Sequence, residues 1–421
     1  MPATLRLWGG YAWVAFTILA CSNEKPVRTA LRTKTEARVQ FHADLINHTI
    51  NESLFIPLTD SSESRWQGAF WAMELSGHRS ALTDSAIQVA MKSFPHHSPG
   101  FQRTLLEVIY TLYPQGFSTE ILGLLDNLDS EKLFAMTATY LFQDNPEAYE
   151  THVFTLMQER FPDWQNHPIL LSFHRSLTNN QLSPPVHDLI QASFIPGVPV
   201  FLSFQPENRD YSGLVICRDQ TGKFLLDINT GDPLVARQLG RAVTNLPWYL
   251  TNGNTPPGIY SVVRMDISSN VFIGPTPNLQ LGMPFEVSPD IFFENDQIGP
   301  TWNESLYKDL LPESWKNFAP IWGSYFAGKA GRSEIIAHGS TINPEFYNQL
   351  PCYPLTPSLG CLTGLEHWSE SDGSLLGSDQ QILIDMYQLV GMDQALLIVI
   401  PIEGANHNLG MRDVMKYLFA E

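Results

Sequence analysis

The sequence predicts a multidomain α+β protein, in which an N-terminal all-α region of helical hairpins precedes a mostly β region. Apolar residues recur at helical spacing from about residue 68 to 175. Short β-branched and aromatic runs between turn residues replace that pattern after residue 190. A polar, proline-containing stretch at residues 179–185 separates the two patterns. The 421 residues allow roughly two or three domains, and we place the boundary near residue 190.

The first 21 residues have the pattern of an export signal. Arg6 precedes an apolar run, Leu7–Ala20, whose 14 residues are fewer than the roughly 20 that a membrane-spanning helix needs. The run ends at Cys21, and the letters I-L-A-C over residues 18–21 resemble the lipobox of bacterial lipoproteins. That resemblance implies lipidation of Cys21 and an exported chain anchored in the cell envelope, facing the periplasm or in the outer membrane. An uncleaved anchor and a plain secretory signal are the alternatives.

Residues 22–190 are predicted to form a helical domain. Its clearest apolar stripes comprise Leu82, Ala86, Val89 and Ala90, then Leu105, Val108, Ile109 and Leu112. Prolines and glycines punctuate the chain between these segments, and Ser118 and Asp129 are candidate N-caps of later helices. Helices of about 10–14 residues with short connections favour hairpins packed side by side, with a small solenoid as one arrangement. Binding a protein partner is one expected role of this domain.

Residues 191–403 are predicted to be mostly β. The first strands are Val198–Phe204, Gly213–Cys217 and Phe224–Ile228, with the last two forming a hairpin. Further strands are predicted at Gly258–Met265, Ser333–Ala337 and Leu396–Ile402, and a helix at Ser378–Val390. Residues 404–421 follow as a C-terminal tail.

Charge and composition exclude some classes of function. The chain has 25 Lys and Arg against 43 Asp and Glu, and its net charge of −18 would repel a phosphate backbone. We therefore expect no nucleic-acid partner. Four cysteines are too few for a disulfide scaffold, and the histidines lack a zinc-ligand spacing such as H-E-x-x-H, so we expect no metal site.

Few histidines and cysteines follow residue 190, and His338 and Cys361 are the best placed for chemistry. His338 ends the apolar run Ile335–Ala337 and precedes Gly339, so it emerges at a strand end. Cys361 follows Gly360, which allows close backbone approach and leaves adjacent N–H groups free to bind an oxyanion. A cysteine nucleophile needs a lowered thiol pKa, which a neighbouring imidazole supplies by holding the proton as an ion pair. We expect His338 to be that imidazole.

The other two cysteines after residue 190 have different expected roles. Cys217 falls within a predicted strand and is expected to be a small buried hydrophobe. Cys352 is either a free thiol or a disulfide partner that switches Cys361 off outside the cytoplasm.

Two motifs resemble the L,D-transpeptidase catalytic domain of the YkuD type. The letters A-H-G at residues 337–339 and S-L-G-C at residues 358–361 resemble that family's H-G and S-H-G-C signature, with Ser358 twenty positions after His338. Upstream, T-P-P-G-I-Y-S-V at residues 255–262 resembles the family's T-P-x-G strand entry. The resemblance covers roughly residues 198–403 and says nothing about residues 22–190.

The resemblance implies a reaction. Cys361 would attack the carbonyl on the L-centre of the diamino acid in a peptidoglycan stem peptide, expelling the terminal D-alanine and forming a thioester. His338 would be its base, and later the proton donor. The Gly360 and Cys361 N–H groups would bind the oxyanion, with Ser358 and Gly339 supporting the loops. An amine would resolve the thioester in a transpeptidase and water in an L,D-carboxypeptidase, and neither needs a cofactor.

The sequence departs from the family pattern in three places. Leu359 replaces the second histidine, and Thr363 stands where Arg or Asn usually braces the site or contacts substrate. These two changes keep open a catalytically inactive envelope lipoprotein that binds peptidoglycan or a partner. About 75 residues separate Val262 from His338, which predicts an insertion near residues 266–326.

Candidate substrate contacts lie in or just after this insertion. Trp322 and Tyr325 either line a groove for sugar or peptide or pack the insertion itself. Lys329 and Arg332 either pair with a substrate carboxylate or lie on a solvated face.

Overall fold

The computed structural model describes residues 28–178, 181–342, 358–391 and 394–418. Over these residues a helical region is followed by a mostly β region, which confirms the predicted α+β class. None of the helices in the described ranges is long and apolar enough to cross a membrane. Cys21 and Cys352 lie outside the described residues, as does the whole of the predicted signal, residues 1–21.

Nine α-helices precede the first strand in the described part of the chain. They are α1 (Thr35–Asp44), α2 (Glu63–Ser76), α3 (Ala81–Lys92), α4 (Pro99–Leu112), α5 (Ser118–Leu125), α6 (Glu131–Asp144), α7 (Pro146–Arg160), α8 (Pro168–Thr178) and α9 (Val186–Gln191). A π-helical segment, Leu45–Glu52, follows α1 directly. The predicted N-caps are each wrong by one residue. Ser118 is the first residue of α5, and Ser130 rather than Asp129 caps α6, because its hydroxyl accepts the Leu133 N–H.

Eight strands of the β region close into a barrel. They are β1 (Val200–Pro206), β2 (Gly213–Arg218), β3 (Ala236–Leu239), β4 (Gly258–Asp266), β5 (Asn278–Gly282), β6 (Ile336–His338), β7 (Leu362–Gly364) and β10 (Ala395–Ile402). Their order around the barrel is β1-β10-β4-β5-β6-β7-β3-β2. Two further strands, β8 (Glu366–Trp368) and β9 (Leu375–Ser378), form a separate hairpin. The β1–β10 and β6–β7 pairs are parallel.

The alternation of residues along the strands defines two apolar cores. One buried cluster takes residues from all eight barrel strands, including Phe201, Ala337 and Leu362, and we assign it to the barrel interior. Helix α13 (Asp379–Val390) contributes to that cluster. The alternate residues of β1, β2, β4 and β10 pack outward against the helices around the barrel.

Three sequence expectations change with the structure. Residues Phe224–Ile228 form only isolated bridges, because the Asp227 carboxylate accepts the N–H groups of Asn229 and Thr230 and closes a turn there. Strand β5 lies inside the range predicted as an insertion but belongs to the barrel. The non-barrel segment between β5 and β6 carries α10 (Pro289–Phe292), α11 (Glu304–Lys308) and α12 (Gly323–Lys329). The predicted tail carries α14 (Met411–Leu418), whose Val414 and Leu418 are buried.

The loop after β3 joins the helical core to the barrel. Leu246, Tyr249 and Leu250 are buried in the cluster formed by the N-terminal helices, although they follow β3 in the chain. In addition, the Asn252 side-chain amide donates to the Glu107 carboxylate of α4 at 3.0 Å. The two regions therefore share one core.

We predict that Leu250→Ala destabilises both regions together. The side chain is fully buried, so its truncation should lower the free energy of unfolding by about 2–5 kcal/mol. Urea unfolding followed by circular dichroism and tryptophan fluorescence should show one shared transition. The control is Leu389→Ala, at a side chain that is 66% exposed, which should change the free energy by less than about 0.5 kcal/mol. Two separate transitions, with only one moved by Leu250→Ala, would contradict the shared core.

Candidate active site

The parallel pairing of β6 and β7 places His338 and Cys361 on one face of the barrel wall. His338 lies beside Thr363 in the register, so Ile336 lies beside Cys361 two positions earlier. Because alternate residues of a strand point to opposite faces, these four side chains share the outer face, while Ala337 points into the barrel. The structure therefore places the two predicted catalytic residues on the same face of neighbouring backbone segments, with His338 itself buried.

The His338 imidazole is held as one neutral tautomer. Its Nδ1 lies 2.5 Å from the Gly339 carbonyl oxygen, and since a carbonyl can only accept, Nδ1 carries the proton. In the neutral ring, Nε2 is then a lone-pair acceptor. Burial lowers the pKa of His338 to about 4, although the bond to Gly339 opposes that shift. The ring is therefore neutral at physiological pH and able to take a proton.

The Cys361 thiol is partly exposed and protonated in the resting site. Burial raises the pKa of Cys361 to about 11, although a hydrogen bond from the Ile336 N–H and the Arg332 charge both oppose that rise. Its sulfur lies 3.6 Å from the Glu334 carbonyl oxygen, to which the S–H can donate. The predicted thiolate–imidazolium pair is therefore wrong for the resting state, because burial disfavours the charged form of each partner.

The loop before Cys361 needs glycine at position 360. Gly360 has a φ of +118°, and a Cβ there would lie 2.5 Å from the Gly253 carbonyl oxygen. Its carbonyl accepts the Thr255 hydroxyl at 2.8 Å, and its N–H donates to the Ser358 hydroxyl at 3.1 Å. Ser358 also donates to the Cys361 carbonyl at 3.1 Å. The Gly360 N–H is thus committed to Ser358, unlike the free oxyanion donor that the sequence predicts.

The guanidinium of Arg332 joins two loops beside the thiol. Its Nη1 donates to the carbonyl oxygens of Trp248 and Asn254, and its Nη2 donates to those of Gly253 and Leu359. Burial lowers the pKa of Arg332 to about 10, so the group stays cationic at neutral pH. All four terminal N–H groups are used by backbone carbonyls. Arg332 is buried, so it does not lie on the solvated face that was one alternative, and it supports the nucleophile loop. No terminal N–H is left over for the substrate carboxylate that was the other alternative.

The other predicted substrate contacts are on or next to helix α12. Trp322 and Tyr325 are buried in an aromatic cluster of the segment between β5 and β6, and the Trp322 indole donates to the Lys316 carbonyl at 3.0 Å. Tyr325 therefore packs the segment, whereas Trp322 also lines a cleft of about 420 Å³ beside α8, so both alternatives hold for it. Lys329 is exposed at the end of α12. Among the remaining cysteines, Cys217 is buried in β2, as predicted.

The two departures from the family motif have different environments. Leu359 is 44% exposed beside the nucleophile. Thr363 is fully buried next to His338 in the register, and its hydroxyl has no hydrogen-bond partner among the described residues. Leu359 cannot supply the imidazole of the histidine that it replaces in the motif, and Thr363 cannot supply the side chain of an Arg or Asn.

Glu366 is a site residue that the sequence analysis missed. It is only 1% exposed, and its Oε1 accepts the hydroxyls of Thr276 at 2.6 Å and Ser378 at 2.8 Å. A Cβ on Gly339 would collide with its carboxyl group, so the carboxyl packs directly against the turn that fixes His338. Burial raises the pKa of Glu366 to about 7, against the opposing effect of its hydrogen bonds. No motif marked this glutamate, since only the fold brings β8 under residues 339–340.

The chain matches no family model, no curated protein sequence and no solved structure. Within the described ranges, no group of three or more His, Cys, Asp or Glu side chains is arranged to hold a metal ion.

We predict that Gly360→Ala destabilises the protein. The left-handed φ and the contact with Gly253 should together cost at least about 2 kcal/mol. Thermal or urea unfolding measures this cost. The matched control is Gly377→Ala, because a Cβ on Gly377 meets no atom within 4 Å and its φ is ordinary. An alanine at 360 as stable as the parent would refute the described loop geometry.

We predict that Glu366→Gln removes a pH-dependent loss of stability. The folded-state pKa of about 7 lies above the ordinary value of 4.5, so the folded protein holds this proton more tightly than the unfolded chain. Stability should then fall as pH rises from about 4.5 to 7 and stay low above it. Between pH 5 and pH 8, Glu366→Gln should gain about 2 kcal/mol relative to the parent.

The measurement is urea unfolding at both pH values. The exposed Glu150→Gln is the control and should leave the pH dependence unchanged. A Glu366→Gln protein that follows the parent curve at both pH values would show that Glu366 ionises normally.

Proposed function

We propose that this chain is a cell-envelope L,D-transpeptidase or L,D-carboxypeptidase that acts on peptidoglycan stem peptides through a thioester on Cys361. The observation that carries the proposal is the shared outer face of β6 and β7, where a partly exposed thiol and a tautomerically fixed imidazole lie on adjacent strands. The motif resemblance over residues 255–262, 337–339 and 358–361 supports the substrate class.

Proton transfer accompanies bond formation in the proposed reaction. Both groups begin neutral, so His338 Nε2 takes the thiol proton as the Cys361 sulfur attacks the carbonyl carbon on the L-centre of the diamino acid. The tetrahedral intermediate collapses to the thioester, and its leaving amine takes the proton from His338 and departs as D-alanine. An amine from a second stem then displaces the thiol, with its proton passing to His338 and on to the sulfur. Water follows the same path in the carboxypeptidase.

The oxyanion requires donors near the attacked carbonyl. The backbone N–H of Cys361 is the proposed donor, with the Gly360 N–H joining it if that group leaves Ser358. Arg332 lies close enough to affect the thiol electrostatically, so its cation favours the negative charge that develops on sulfur. These groups stabilise charge that appears only during the reaction.

The proposed location is outside the cytoplasm, on a lipid anchor at Cys21. The sequence pattern of residues 1–21 supports this proposal, and it would place the site where peptidoglycan stems are found. The helical region would then hold the loop at residues 246–252 under the nucleophile, and its outer surface would be available to a protein partner.

A second candidate function is binding without catalysis. The raised pKa of Cys361 and the buried Thr363, which stands where the family usually has Arg or Asn, favour it. An envelope lipoprotein with this site would bind a stem peptide or a partner and leave it uncleaved.

We predict that the full chain, purified in detergent and reduced, removes the terminal D-alanine from a disaccharide tetrapeptide or links two of them. Mass spectrometry reads both the peptide products and the acylated protein. Cys361→Ala should abolish turnover, and His338→Ala should slow it by about 10²–10⁴-fold. His407→Ala, at an exposed imidazole, is the control and should retain full activity.

The product separates the two reactions, since a cross-linked dimer indicates a transpeptidase and a tripeptide alone indicates a carboxypeptidase. Turnover that persists in Cys361→Ala would overturn the assignment of the nucleophile. A folded, reduced protein with neither turnover nor adduct would support binding without catalysis.

A further inference from the structure

A cleft opens at the same end of the barrel as Cys361. The register places the ends of β1 and β10 beside the starts of β4 and β7, so all four meet at this end. The cleft has a volume of about 470 Å³ and lies between this end, helix α8 and the segment between β5 and β6. Neither Cys361 nor His338 lines it. It is therefore a separate site from the candidate active site.

Arg209, in the wall of this cleft, has unused hydrogen-bonding capacity. The side chain is only 6% exposed, and its Nη2 makes a long hydrogen bond of 3.4 Å to the Thr255 carbonyl. Its buried Nη1 has no hydrogen-bond partner among the described residues. Burial lowers the pKa of Arg209 to about 10, so it is a cation at neutral pH. A carboxylate is the acceptor that fits such a group, because it pairs with a guanidinium through both charge and hydrogen bonding.

Two exposed carboxylates stand on the rim of the same cleft. Glu207 follows β1 and Glu403 follows β10, and both line the cleft with Arg209. Partial burial and the charge of Glu403 raise the pKa of Glu207, while Arg209 lowers it. Glu207 therefore interacts electrostatically with both of the other charged groups. An ammonium group between the two carboxylates would relieve their repulsion.

Charges of both signs in one cleft select a ligand that also carries both. Arg175 of α8 also lines the cleft, so its lining holds two arginines and two glutamates. A simple anion would meet the two glutamates and the net charge of −18 on the whole chain. A zwitterion has no net charge and gains from both halves of the site. We propose that this cleft binds the zwitterionic head of an α-amino acid, with its carboxylate on Arg209 and its ammonium between Glu207 and Glu403.

The cleft is also next to the residues that hold the Cys361 loop in place. Asn254 and Thr255 line it, and the same two residues bind Arg332 and the Gly360 carbonyl. An occupant would therefore lie against the backbone that holds the Cys361 loop. Two sources of the head group follow from the proposed function, on which this part of the inference rests. They are the released D-alanine and the free end of the diamino acid on a second stem.

Calorimetric titration of the full-length Cys361→Ala protein in detergent tests the site without turnover. The probes are D-alanine and meso-diaminopimelate, each compared with single-charge analogues, N-acetyl-D-alanine and D-alaninamide. We expect a zwitterion to bind at least tenfold more tightly than either analogue. Tighter binding of diaminopimelate assigns the acceptor stem as the source, and tighter binding of D-alanine assigns the product.

Variants of Arg209 and Glu403 locate the binding. Arg209→Gln should weaken the zwitterion at least tenfold, and thermal unfolding must show that it folds because the residue is buried. Glu403→Gln lies on the rim, should fold normally, and should weaken the zwitterion but not N-acetyl-D-alanine. Arg264→Gln, at an exposed arginine on β4, should change nothing. Equal binding of the zwitterions and their analogues, no binding at millimolar concentrations, or a folded Glu403→Gln with parental affinity would overturn the proposal.

These outcomes are independent of the proposed reaction. If the protein binds zwitterions but is never acylated, the proposed binding site stands and the proposed enzymatic activity is refuted. If the protein turns over stem peptides but binds no zwitterion, the proposed activity stands and the proposed binding site is refuted.

Discussion

The buried guanidinium of Arg332 is the interaction on which the candidate site depends. Four backbone carbonyls from two loops converge on its two terminal nitrogens, and an arginine is the side chain with enough fixed donors for that geometry. Gly360 approaches it so closely that only glycine fits. The cation that braces the nucleophile thus comes from the segment before β6, whereas the family motif has a polar residue two positions after the cysteine.

The hydrogen bonds of Arg332 also connect the helical region to the site. Residues 248 to 254 accept three of the Arg332 hydrogen bonds, and the neighbouring Tyr249 and Leu250 are buried among the N-terminal helices. Asn252 adds a hydrogen bond to Glu107 within that region. Because the loop is fixed at both faces, the position of Cys361 depends on packing far from it in sequence. This gives the helical region a structural role, whether or not it also binds a partner.

The sequence was informative where local pattern decides structure. Periodicity predicted the two regions, strands such as Leu396–Ile402 and the helix after Ser378, and the glycine-rich context marked Cys361. It could not show the short strand β7, whose three residues are held by pairing rather than by propensity. Glu366 and the role of Arg332 were missed because each contacts groups that are distant in sequence, hydroxyls in the case of Glu366 and backbone carbonyls in the case of Arg332. The pKa values of the thiol and imidazole depend on burial, which no motif records.

Acylation of Cys361 by a carbapenem, read by intact mass and peptide mapping, tests the central claim most directly. The claim is that Arg332 holds Cys361 in place as a nucleophile beside His338. The folded, reduced protein should gain one adduct, mapped to Cys361. Arg332→Lys should acylate at least tenfold more slowly, because one ammonium cannot reach four carbonyls, while Arg264→Lys should match the parent. No adduct, an adduct elsewhere, or an unchanged rate in Arg332→Lys would contradict the account.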